Sequence, residues 1–117
     1  MLFDTHAHLT DEQFDKDREE VIKRAKDSGV EYILAVSADV ATSVESVTLA
    51  QKHDFIYAAV GVHPHSAVDL SNNFISLLSD FATYRKVVAS GEIGLDYHYE
   101  NSPREAQKIW FAKQISL

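Results

Sequence analysis

The chain has no cysteine, only two prolines and four glycines, and no long apolar run among its 117 residues. Without cysteine there is no disulfide scaffold and no thiolate metal site, and the composition suits a reducing compartment. With so little proline and glycine there is no flexible linker, so one domain over residues 1–117 is expected. The longest apolar stretches, such as "IYAAVGV" (56–62), are too short to cross a bilayer, and charge at Asp4 interrupts any signal-peptide core. A soluble, cytoplasmic protein with no membrane partner is expected. Basic residues are also scarce: 11 against 18 acids, for a net charge of −7. That excludes a broad basic face for nucleic acid, though not a phosphate site whose positive charge comes from bound cations.

What is present is an alternation of short apolar runs with segments of helical period. "MLFD" (1–4), "VEYILAV" (30–36), "FIYAAVGV" (55–62) and "KVVAS" (86–90) read as strands. Between them, residues 15–28, 39–53 and 73–84 carry apolar side chains at helical spacing, with Gly29 as a C′ cap for the first. A fourth helix starts with Ser102 as N-cap, Pro103 at N1 and Glu105 completing a capping box, and no stop signal closes it before Leu117. Ile109, Trp110 and Phe111 are expected in its buried face.

Four βα units with continuous apolar strands predict a parallel sheet covered on both faces, with right-handed crossovers. This α/β pattern is half of an eight-stranded TIM-type barrel, which needs about 250 residues. A small open sheet is the alternative, but the Gly-rich phosphate loop of a dinucleotide fold is missing after the first strand. His-x-His stands there instead.

Chemistry-bearing residues gather just beyond strand ends, the rim where parallel α/β folds build their sites. After the first strand, His6 and His8 alternate along extended chain, so both imidazoles face one way and can grip one cation; Asp4 shares that face. After the third, His63 and His65 flank Pro64 in "GVHPH", candidates to orient a phosphate or move a proton. After the fourth, Glu92 lies between Gly91 and Gly94, where a carboxylate costs free energy unless paired or metal-bound. It can bridge two cations; an ion pair to Lys86 or Arg85 is the alternative. Asp96 and Tyr97 stand between substrate contact and ordinary loop; His53 reads as surface, and His98 is left open, nearer to loop surface.

The strings "DTHAHL", "GVHPH" and "GEIGLDY", followed by Gln107-x-x-x-Phe111-x-x-Gln114, resemble the TatD family of metal-dependent hydrolases, within the amidohydrolase-type TIM barrels. His-x-His alone is weaker, since PHP phosphoesterases begin the same way. The resemblance implies that His6 and His8 are metal ligands, that Glu92 ligates and bridges, and that His63 acts in the site beside His65. It implies two divalent ions (Mg²⁺ or Mn²⁺, with Zn²⁺ as alternative) and phosphodiester hydrolysis of DNA from single-stranded 3′ ends. It also implies that these residues form the first four units of the barrel, without the two histidines and the catalytic aspartate of strands five to eight. Two other readings stay open: an inactive half-barrel that binds metal weakly and self-associates, and the same fold acting on another ester or an amide.

Overall fold

The structure is a computed structural model covering residues 1–117. Its strands are β1 (Leu2–Ala7), β2 (Val30–Val36), β3 (Ile56–Val60) and β4 (Val87–Ser90). Its α-helices are α1 (Arg18–Asp27), α2 (Val40–Lys52), α3 (Asn72–Ala82) and α4 (Arg104–Ile115). Short 3-10 turns occupy Glu12–Phe14 and Pro64–Asp69. The four strands form one parallel sheet in the order β1-β2-β3-β4, the expected succession of βα units. No helix is long and apolar enough to cross a membrane.

Local chemistry accounts for most boundaries. Asp39 caps α2 by accepting the Thr42 amide while the Thr42 hydroxyl accepts from the Asp39 amide, a reciprocal capping box. Gly29 ends α1 at φ +93°, a left-handed conformation that glycine adopts without penalty. Alternate residues of the central strands, Ile33, Ala35, Ile56, Ala58 and Val60, pack with Ile22 of α1, Val47 and Ala50 of α2 and Leu78 of α3 into one core.

Coverage of both sheet faces is not what the structure shows. The strand order never reverses, so successive right-handed crossovers lay the helices on one side. The other face keeps a row of partly exposed aromatic rings, Phe3, Tyr32 and Tyr57, spaced 6.0 and 6.1 Å apart. The two outer strands are open as well: Leu2 and Phe3 on β1 and Val88 on β4 are more than half exposed.

Helix α4 departs from its expected start. Pro103, not Ser102, occupies the N-cap position, and no side chain caps the helix. The Ser102 hydroxyl instead donates to the His65 carbonyl (2.8 Å) and accepts from the Val68 amide (3.0 Å). A tertiary pair of partners outcompetes the local cap. The helix ends at Ile115, capped by Ser116. Ile109 faces solvent at 52% exposure, while Trp110 packs against the core. The fully enclosed residues of α4 are two glutamines, Gln107 and Gln114. Gln114 accepts the Val62 amide (2.7 Å) and donates to the Val62 carbonyl (3.1 Å), completing the hydrogen bonding that β3 leaves open at its end.

At that same end two segments of backbone come close together. Gly61 lies against the segment following β4, and the peptide bond between Gly91 and Glu92 is cis. A Cβ on Gly61 would come within 2.8 Å of Ile93 Cγ2 and 2.9 Å of the Gly91 carbonyl carbon. Backbone on one side cannot swing away, so Gly61→Ala is expected to destabilise the fold by about 1–3 kcal/mol. Urea unfolding of the variant against the parent measures this; an unchanged midpoint would contradict the close approach.

Candidate metal centre

Strands in a sheet lie about 4.8 Å apart, so the ends of β1 and β4 in a flat sheet would be separated by roughly 14 Å. Here residues from these two outer strands meet. Glu92 Oε2 is 3.4 Å from His6 Nε2 and 3.6 Å from His8 Nε2, and the two imidazole nitrogens are 3.1 Å apart. The backbone explains the reach. Gly91 donates to the Val60 carbonyl (2.9 Å), and Glu92 then crosses Gly61 to donate to Ser37 at the end of β2 (2.7 Å). Ser37 is buried, its hydroxyl giving 2.8 Å to the Ala59 carbonyl, so the anchor is fixed.

The donor set fits a divalent cation. An ion about 2.0–2.2 Å from each of several tetrahedrally arranged donors spaces them roughly 3.3–3.6 Å apart, close to the distances found. His8 Nδ1 lies 3.1 Å from the Val36 carbonyl, which only accepts. His8 therefore carries its proton on Nδ1 and turns the Nε2 lone pair to the site, the usual outer-shell arrangement of a ligating histidine. Without a cation, a proton must lie between the two Nε2 atoms; a cation would take its place. Glu92 makes neither of the ion pairs considered for it. Lys86 spends its ammonium on the carbonyls of His53, Asp54 and Ile56.

Asp4 stays outside the cluster; its Oδ1 accepts the His6 amide (3.1 Å), fixing the backbone from which His6 projects. His63 borders it, with Nε2 3.6 Å from Glu92 Oε1. Its Nδ1 accepts the His65 amide (3.1 Å), so in the neutral ring the proton is on Nε2, facing the carboxylate. Partial burial lowers the His63 pKa below the usual histidine value, and the Glu92 charge opposes that shift.

His65 and Asp96 form a second pair, Nε2 to Oδ2 at 2.5 Å. Asp96 Oδ1 also accepts the amides of His98 (2.9 Å) and Tyr99 (3.2 Å). The His65 hydrogen bond, then the Tyr99 amide, hold the Asp96 carboxyl below its ordinary range. Tyr97 lies under the Arg104 guanidinium, 4.5 Å from its ring centre. His98 is exposed, as expected. His53 is not: it is partly buried, with Nε2 3.3 Å from Glu19 Oε2, linking α1 to the end of α2.

Composition and spacing gave no reason to place Gln107 in this region. Its Oε1 accepts the Asp96 amide (2.7 Å), and its Nε2 donates to the carbonyls of Asp96 (2.9 Å) and Ser102 (2.8 Å). The only signal was its place in the Gln107-x-x-x-Phe111-x-x-Gln114 string. Replacing Gln107 by Leu leaves three backbone groups unpaired and is expected to cost about 1–3 kcal/mol in chemical denaturation; an unchanged stability would contradict this role. The Asp96 pair gives an acid signature. Because its folded-state pKa is depressed, it stabilises the fold above the ordinary aspartate value of about 3.9, and this contribution disappears as pH falls through the lower folded value. Between those limits the parent should lose stability more steeply than Asp96→Asn in pH-dependent thermal unfolding; parallel curves would argue against the pair.

The sequence profile described as TatD related DNase matches residues 3–117. An uncharacterized metal-dependent hydrolase of Bacillus subtilis, YabD, is 48% identical over 117 residues, covering 100% of this chain and 46% of that protein. A protein of Erwinia tasmaniensis named 3′-5′ ssDNA/RNA exonuclease TatD is 38% identical over 117 residues, 99% of this chain and 45% of that one. Among solved structures, a TatD homolog from Escherichia coli K12 superposes with TM-score 0.87 at 31% identity, over 98% of this chain and 45% of the other. An uncharacterized amidohydrolase from Saccharomyces cerevisiae superposes at 0.84 with 22% identity, over 98% of this chain and 43% of that one, a likeness of fold. The chain thus spans a little under half the length of the curated relatives it matches, and its sheet is a four-unit segment of a TIM-type barrel. It belongs to the family of TatD related DNases.

Proposed function

We propose that residues 1–117 supply one half of an eight-unit barrel, and one wall of a site for metal-dependent hydrolysis of phosphodiester bonds in single-stranded nucleic acid. The observation that carries this reading is the meeting of His6, His8 and Glu92 from opposite edges of the sheet, at ligand spacing. The exonuclease named among the relatives supports the choice of substrate and of the 3′ end.

A divalent cation held by His6, His8 and Glu92 would supply an acidified water as nucleophile and neutralise charge on the phosphate. The protein's own groups prepare for that. Val36 fixes the His8 tautomer, and Ser37 and Gly61 fix the Glu92 backbone. His63 offers an Nε2–H at the edge of the site, where it can donate to a phosphate or leaving oxygen. His65 holds the His63 ring through its amide and is itself held by Asp96, so both stand on the substrate side of the wall. The ligands opposite are assigned to the part of the relatives' length that this chain does not span.

A second reading follows from the open edges of β1 and β4. Two unpaired parallel strands with apolar side chains favour self-association, and a chain occupied that way would bind metal without turning over.

The test is release of nucleotides from a 3′-labelled DNA strand, with Mg²⁺ or Mn²⁺, by a barrel that joins residues 1–117 to the remaining length of a relative such as the Bacillus subtilis protein. The proposal predicts hydrolysis that chelation abolishes and that Glu92→Gln reduces by about two orders of magnitude. Rates indifferent to metal, or to Glu92→Gln, would contradict it. Absence of hydrolysis together with a mass that rises with concentration would favour the second reading.

A further inference from the structure

Beyond the donor cluster, the rim carries an aromatic feature with no structural task. The loop after β4 presents Tyr99 at 68% exposure, the most exposed aromatic residue of the chain. A surface tyrosine on a mobile tip would need no explanation, but this loop is held. Asp96 Oδ1 accepts the Tyr99 amide, Gln107 grips Asp96 and Ser102 from below, and Ser102 is tied to the turn at His65 and Val68. Glu100, next in sequence, takes φ +49°, a left-handed conformation that costs a non-glycine residue about 1 kcal/mol or more. The backbone bears that cost while leaving the preceding ring in solvent.

The ring also has a defined position relative to the donors. Glu92 lies 3.6 Å from His63, the His63 and His65 rings are 4.3 Å apart, and His65 meets Tyr99 at 5.9 Å, perpendicular. His98 contacts Tyr99 at 4.5 Å, again close to perpendicular. Both neighbours stand perpendicular to the ring, and Tyr99 keeps 68% of its surface exposed. Tyr97 differs, since the Arg104 guanidinium already covers it. A row therefore runs from the metal wall through two imidazoles to one exposed phenol ring.

We propose that Tyr99 is a stacking platform for a base of the nucleic acid strand whose phosphodiester is held at His6, His8 and Glu92. The inference rests on the function proposed above and specifies how that substrate is gripped. Charge favours such a platform. With 18 acids against 11 bases, these residues offer a polyanion no broad basic face. A base face supplies affinity that does not depend on net charge, and stacking on an aromatic side chain is tolerant of sequence.

The experiment is fluorescence anisotropy with a 5′-labelled phosphorothioate oligodeoxyadenylate in Mn²⁺, beside the same strand with abasic residues at its 3′ end. Tyr99→Ala is expected to weaken binding of the adenylate strand about tenfold and to leave the abasic strand unaffected. Tyr99→Phe should bind as the parent does, since the ring and not the hydroxyl carries the contact. Thermal unfolding should be alike in all three proteins, as befits an exposed side chain. If Tyr99→Ala binds adenylate as tightly as the parent, or the parent does not distinguish the two strands, the platform is wrong while the phosphodiester reading stands. If the parent binds neither strand in Mn²⁺, both are wrong.

Discussion

The site depends on one backbone crossing. For a carboxylate that follows β4 to reach imidazoles projecting from β1, the chain after Ser90 must fold inward across the end of β3. It does so over Gly61, the one place where that strand end has no side chain in the way, and it is caught there by the carbonyls of Val60 and Ser37. Everything chemical follows from this contact. It sets the 3.4 and 3.6 Å approaches of Glu92 to the histidines, and it turns the other Glu92 oxygen toward His63. Three apolar strands position the donors, but hydrogen bonds at the strand ends make them converge.

A second layer lies beneath the rim. Gln107 and Gln114, one heptad apart on α4, face inward and hold the ends of two connections by paired amide hydrogen bonds. Buried amides hydrogen-bonded through both oxygen and nitrogen impose geometry more strictly than apolar packing does, since a shift leaves a polar group unpaired. The loop bearing Asp96 and the turn bearing His65 are thereby fixed to each other, and His65 in turn fixes His63. The rim is a connected hydrogen-bonded network, consistent with a site that must hold its donors close before a cation arrives.

Much of this was legible in the residues. The alternation of runs predicts the four strands and helices, with boundaries shifted by one to three residues at most ends, because strand and helix periods are local properties. His6, His8 and Glu92 could be singled out because polar residues at the ends of apolar strands are uncommon and strand ends share one rim, although β1 runs on to Ala7 and takes His6 into the strand. What the sequence could not display was tertiary competition. Ser102-Pro103-x-Glu105 has the pattern of a helix cap, yet the Ser102 hydroxyl finds better partners across the fold. Ile109, expected in the core, faces solvent, while two glutamines of the same helix are enclosed because their amides find partners across the fold, which polarity alone does not report. Apolar strands suggested two covered faces, while the unreversed strand order puts the helices on one.

The central claim is that His6, His8 and Glu92 together form a cation site. Crystals of the protein soaked in Mn²⁺, with data recorded at a wavelength where manganese scatters anomalously, test it most directly. The account predicts an anomalous peak bounded by the Nε2 atoms of His6 and His8 and a carboxylate oxygen of Glu92, absent in Glu92→Gln. Manganese bound only elsewhere on this acidic surface, with these three side chains empty or turned apart, would contradict it.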